Sequence, residues 1–209
     1  MQNIQHRATL VLTELKRLFP TSKTILEFSN NIELLFAVML SAQTTDVQVN
    51  KVTKNLFQKY KTLDDYISAD PIILQTDLNR VNYYKTKTTY IQKTAKILKE
   101  KYVSILPRTI EEMMGLPGVG RKTAVVVLGN AYNITAGIAV DTHVKRLSKV
   151  FGLTTHDDTQ KIETDLKQLF PKEEWFLLTN RMIEYGRAYC PAHCRHEKCP
   201  ILAELNNLT

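Results

Sequence analysis

The chain has 209 residues, 44% of them hydrophobic, enough for a substantial core in one or two domains. Its 28 Lys and Arg against 21 Asp and Glu leave a net charge of +7 and a pI near 9.2, which suits a polyanionic partner and disfavours a cationic one. The longest strongly apolar run, Leu34 to Leu40, is far short of a membrane span. Only 7 glycines and 7 prolines interrupt a chain rich in helix formers, so an all-α fold with short loops is expected and no sheet is.

Apolar periodicity and breakers predict helices over about 4–18, 30–42, 46–60, 63–68, 71–79, 86–102, 109–114, 121–131, 142–151, 158–169 and 173–187. The first segment, "MQNIQHRATLVLTELKRLFP", has neither the long apolar core nor the cleavage site of a signal peptide and reads as an amphipathic helix. In "MLSAQTTDVQ" an apolar helix gives way at Ser41, and Thr45 with Gln48 can open the next one by a capping box, which leaves Gln43 in the break. The stretch "NRVNYYKTK" precedes the helix at 86. Tyr83 and Tyr84 there suit either base stacking or the core, and Lys85 and Lys87 either phosphate contacts or a solvated face. Thr109 and Glu112 in "RTIEEMMG" form a capping box, with Gly115 as the stop of a short helix.

The next stretch, "GLPGVGRKTAVVV", is a glycine-rich turn opening a helix. Unpaired N–H groups and the positive end of the helix dipole make such a turn a phosphate cradle. A nucleotide P-loop is excluded by spacing: Arg121 intervenes after Gly120 and moves Lys122 about 100° around the helix, and a helix precedes the turn where a P-loop needs a strand. The unit is helix, hairpin, helix, and it suits a nucleic-acid phosphate. Further on, "GIAVDTHVKRLSKVFG" puts Asp141 at the start of an amphipathic helix, where it is a natural N-cap. A carboxylate at one helix start facing an amine at another suits amine nucleophilic catalysis; a capping Asp and a surface Lys are the plainer alternative. His143 reads as structural.

"LPGVGRKTAVVVL", "AVDTHVKRL" and "LLFAVMLSAQTTDVQVNKVT", with "EYGRAYC" near the end, resemble the endonuclease III family of helix-hairpin-helix DNA glycosylases over nearly the whole chain. The resemblance implies a two-domain all-α fold, with a six-helix barrel domain at about 24–134, a second domain made of 1–23 and 135–209, and an active site in the cleft between them. It implies excision of oxidised pyrimidines from damaged double-stranded DNA, with Lys122 as the Schiff-base lysine in a partly buried site beside Arg121 and Asp141 as the catalytic aspartate. Strand scission follows by β-elimination. Gly118 and Gly120 are then phosphate-binding, Gln43 fills the hole left by the flipped base, and Tyr83 stands where the family carries an aliphatic wedge. Lys85 and Arg187 join the DNA-binding surface, as do Arg195 and Lys198. Alternatives are a DNA-binding protein without catalysis and a monofunctional mismatch glycosylase, although relatives of the latter kind lack the lysine. The setting implied is a monomer in the cytoplasm, at the nucleoid in a prokaryote, with no membrane partner.

The resemblance also implies an iron–sulfur cluster, a 4Fe-4S site held by four cysteines. Here "CPAHCRHEKCPILAEL" supplies three: Cys190, Cys194 and Cys199. With Cys190 and Cys199 matched to the first and third ligands, the second position falls on His196 and the fourth on Leu205, so the motif is incomplete. Zinc on three cysteines and a histidine, or no metal, are the other readings.

Overall fold

The computed structural model describes residues 2–194, 196, 197 and 199–207; Arg195 and Lys198 lie outside the described residues. Among the described residues every regular element is helical. The chain falls into two compact units, residues 25–134 and residues 1–24 with 135–209.

The unit at 25–134 holds α2 (Asn31–Ser41), α3 (Asp46–Lys59), α4 (Leu63–Ser68), α5 (Pro71–Asp77), α6 (Tyr84–Tyr102), α7 (Ile110–Met114) and α8 (Arg121–Tyr132). Several starts have a local cause. Asn30 accepts a hydrogen bond from the Glu33 N–H at 2.9 Å, Thr62 and Asp65 close a capping box, and Asp70 precedes Pro71 at the first helical position. Helix α2 is the centre of this unit. Leu34 through Leu40 are all buried, and the helix packs against α3, α6 and α8, as expected of a helix that is apolar all round. Removing one such side chain, as in Leu35→Ala, is worth about 2–5 kcal/mol.

The other unit holds α1 (Gln2–Leu18), α9 (Thr142–Val150), α10 (Thr159–Leu169), α11 (Trp175–Ala188) and α12 (Pro200–Asn206), with a 3-10 turn at Lys172–Glu174. Its core joins Ala8, Val11 and Leu15 of α1 to Val144, Leu147, Phe151, Leu178, Met182, Tyr185 and Leu205. Arg181 is buried inside it, paired with Glu174 at 2.7 Å and donating to the Phe19 carbonyl at 3.2 Å. Helix α12 is absent from the elements predicted above. At seven residues it is too short for periodicity, and its signals are Pro200 at the first position and the buried pair Ile201 and Leu205.

Candidate functional site

The hairpin is built from α6 upward. Thr109 caps α7 by accepting from the Glu112 N–H at 3.2 Å, while its hydroxyl donates to the Glu112 carboxylate at 2.9 Å; Gly115 then ends the helix. Leu116 and Val119 anchor the turn in the core, and the Thr94 hydroxyl donates to the Pro117 carbonyl at 3.0 Å. Gly118 sits at φ +78° against Tyr90. A Cβ there would lie 2.6 Å from a ring carbon, so both the backbone and the space require glycine. Gly120 is the N-cap of α8 and contributes no capping oxygen, and the space beside it is open. A helix start with no capping side chain suits an external anion.

Arg121 is half-buried and Lys122 is exposed at the second residue of α8. The partly buried setting expected for this lysine is not found: Ala124, Val125, Val127 and Leu128 turn inward along α8, and the residue at 122 faces solvent. In the other unit, Asp141 caps α9 with a side-chain oxygen 2.8 Å from the Val144 N–H. The His143 ring lies against Gly186 of α11, where a Cβ would meet its Nδ1 at 2.4 Å, which makes its surroundings those of helix packing. Arg187 is exposed near the end of α11.

Helix α2 ends at Ser41 and α3 begins at Asp46 behind its N-cap Thr45, so Gln43 occupies the break, exposed and at φ 56°. Tyr83, at φ 58° and 64% exposed, opens α6, so of the two settings left open for it the core is ruled out. Lys85 is exposed. Lys87 is neither a phosphate contact nor part of a solvated face. It is 6% exposed, and its ammonium donates to the Leu40 and Ala42 carbonyls, each at 2.7 Å, and to the Thr44 hydroxyl at 3.4 Å. It satisfies carbonyls that the end of α2 leaves orphaned. Asn82 completes the tie, its N–H donating to the Thr44 hydroxyl at 3.0 Å and its amide to the Gln43 carbonyl. The Gln43 break and the Tyr83 turn are thereby held as one assembly. Asn82 and the burial of Lys87 were not visible in the sequence, because both depend on where α2 ends in space.

Replacing Lys87 by Met leaves these carbonyls without their donor, and we expect a loss of about 1–3 kcal/mol in urea unfolding at neutral pH. Burial pushes the Lys87 ammonium down to about 8. The unfolded chain therefore binds this proton more tightly, and the lysine's contribution rises with pH from about 8 to its ordinary range near 10.4. The stability gap between wild type and Lys87→Met should widen over that window; a gap that narrows would contradict the assignment.

At the C-terminal end, Cys190, Cys194, His196 and Cys199 bring one donor atom each within 4.8 Å of one another, a group fit to hold a metal ion. Histidine thus joins the three cysteines, at the position the motif comparison assigned to it.

A helix-hairpin-helix with an uncapped second helix, on an all-helical chain, defines a class. Residues 36–172 match the family described as HhH-GPD superfamily base excision DNA repair protein. Endonuclease III of Bacillus subtilis (strain 168) is 43% identical over 194 residues, covering 92% of this chain and 88% of its own. A solved non-covalent complex of endonuclease III with DNA superposes with a TM-score of 0.91 at 42% identity, covering 98% of this chain and 97% of that one. A trapped covalent intermediate of endonuclease III with DNA, an estranged-adenine complex, gives a TM-score of 0.91 at 42% identity over 98% of both chains. The chain belongs to the endonuclease III family.

Proposed function

We propose that this protein is a bifunctional DNA glycosylase and abasic-site lyase of base excision repair, acting on oxidised pyrimidines in duplex DNA. The observation that carries the reading is Lys122 on the second residue of a helix opened by an uncapped glycine turn, in a chain 42% identical to an endonuclease III trapped covalently on DNA. The α8 N-terminus, bare at Gly120 and tightly turned at Gly118, suits a phosphate beside the lesion. The damaged base leaves the stack, which costs least where pairing is already weak. The neutral Lys122 amine then attacks C1′ of the sugar, with bound DNA excluding water from an amine that is otherwise exposed. Asp141, ionised, balances the positive charge that develops on the sugar as the base departs. The N–C1′ bond forms as the bond to the base breaks, and cleavage of C1′–O4′ then opens the sugar to a Schiff base, which acidifies the C2′ hydrogen; loss of that proton expels the 3′ phosphate and cuts the strand. Arg121, Lys85 and Arg187 supply positive charge along the backbone, and no step runs through the C-terminal donor group. The setting proposed is one chain acting alone in the cytoplasm, at the nucleoid in a prokaryote. Among the described residues no helix is long and apolar enough to cross a membrane.

Gln43 fills the vacated position and pairs with the orphan base, while Tyr83 stacks into the opened duplex. Gln43→Ala and Tyr83→Ala should each weaken binding to thymine-glycol duplex by about 1–3 kcal/mol and leave binding to undamaged duplex nearly unchanged. Fluorescence anisotropy on both duplexes across a salt series checks this. Uniform loss on both, with a reduced salt slope, would mark the two residues as backbone contacts instead. The activity as a whole is tested by base release and strand nicking on the same duplex: release together with nicking supports the reading, and release alone would make the protein monofunctional.

A further inference from the structure

We propose that Cys190, Cys194, His196 and Cys199 hold a single tetrahedral zinc ion, in place of the four-iron cluster that the family resemblance implies. This goes beyond the glycosylase reading and does not depend on it.

The first argument is distance. Cys194 Sγ and Cys199 Sγ are 3.4 Å apart, Cys190 Sγ is 3.5 Å from His196 Nδ1, and Cys199 Sγ is 3.8 Å from the same nitrogen. One ion at about 2.3 Å from sulfur and 2.0–2.1 Å from nitrogen sets tetrahedral ligand atoms about 3.5–3.8 Å apart. A cubane binds each ligand to a different iron, so its ligand atoms are spread around the outside of a whole cluster. Four donors drawn within 4.8 Å of one another leave no room for that body between them.

The second argument is the fourth ligand. The position a fourth cysteine would take is Leu205, which is fully buried in the core with Tyr185 and Ile201. An apolar core side chain there offers an iron no donor. His196 supplies the fourth donor from the opposite direction along the chain. It adopts φ 65°, a left-handed conformation uncommon for a non-glycine residue, and its Nδ1 lies beside the sulfurs of Cys190 and Cys199.

The surroundings suit three thiolates on a divalent ion, a centre of net charge −1. The His196 N–H donates to Cys194 Sγ at 3.2 Å, and the Arg146 guanidinium of α9 donates to Cys190 Sγ at 3.4 Å, so hydrogen bonds and a positive charge both meet the sulfurs. The ion would join the end of α11, the start of α12 and, through Arg146, α9. Zinc has no redox chemistry, so this junction would not respond to oxidants as an iron cluster does.

The test uses the full chain, expressed with both iron and zinc supplied and purified anaerobically. Metal and acid-labile sulfide analysis should give about one zinc per chain, with iron and sulfide near zero. About four irons with matching sulfide, iron without sulfide, or a Cys194–Cys199 disulfide with no metal would each overturn the proposal. Cobalt exchanged into the site should show the intense visible bands of a tetrahedral thiolate centre. His196→Ala should weaken zinc at least about 100-fold in competition with a chromophoric chelator. His196→Cys guards against a mere folding defect: it should keep one metal per chain and strengthen the thiolate-to-cobalt band by about one third, as three thiolates become four. Bands unchanged in that variant would remove His196 from the ligand set and overturn the proposal.

Discussion

Lys122→Gln abolishes strand scission and leaves DNA affinity within about tenfold of wild type, since only one cation near the phosphates is lost. Glutamine approximates the length of lysine but has no nucleophilic amine, so the covalent route closes. Single-turnover nicking of an abasic duplex should fall by at least about 1,000-fold, or roughly 4 kcal/mol of barrier. Lys122 is exposed, and the residues that fix α8 are Ala124, Val125, Val127 and Leu128, so unfolding stability should move by less than about 0.5 kcal/mol. A variant that still nicks at the wild-type rate would assign the nucleophile elsewhere.

Asp141→Asn separates chemistry from capping. Asparagine caps a helix as well as aspartate does, and it can still accept from the Val144 N–H at 2.8 Å, so the fold should be retained within about 0.5 kcal/mol. Its amide carries no charge to set against the developing cation on the sugar. Base release should slow by about 10²–10⁴-fold, or roughly 3–5 kcal/mol of barrier. Single-turnover release, followed alongside thermal unfolding, checks both halves. An unchanged rate would reduce Asp141 to its cap, and a large loss of stability would show that the substitution tests folding instead.

Much of the fold could be read in one dimension because its signals are local. The caps at Thr45, Thr109 and Asp141 start helices where a short polar side chain accepts from a first-turn N–H, and the apolar run Leu34 to Leu40 marks a helix with no polar face. Gly118 was legible for the same reason, although the ring of Tyr90 that forbids a side chain there was not. What escaped the sequence depends on long-range placement. Lys87 sits on a helix rich in Lys and Thr and reads as solvated, yet it is drawn inward by carbonyls more than forty residues away in the chain. The donor group needed His196 in a left-handed turn, which spacing alone does not specify. Lys122 erred in the opposite sense: its expected burial came from the chemistry it has to perform, and the helix that carries it turns that position outward.

Borohydride trapping tests the central claim most directly. Wild-type protein incubated with a thymine-glycol or abasic duplex and sodium borohydride should yield a stable protein–DNA adduct, and peptide mapping should locate the reduced linkage at Lys122. Nicking without any trapped species, or an adduct mapped to another amine, would contradict a Schiff base at this lysine.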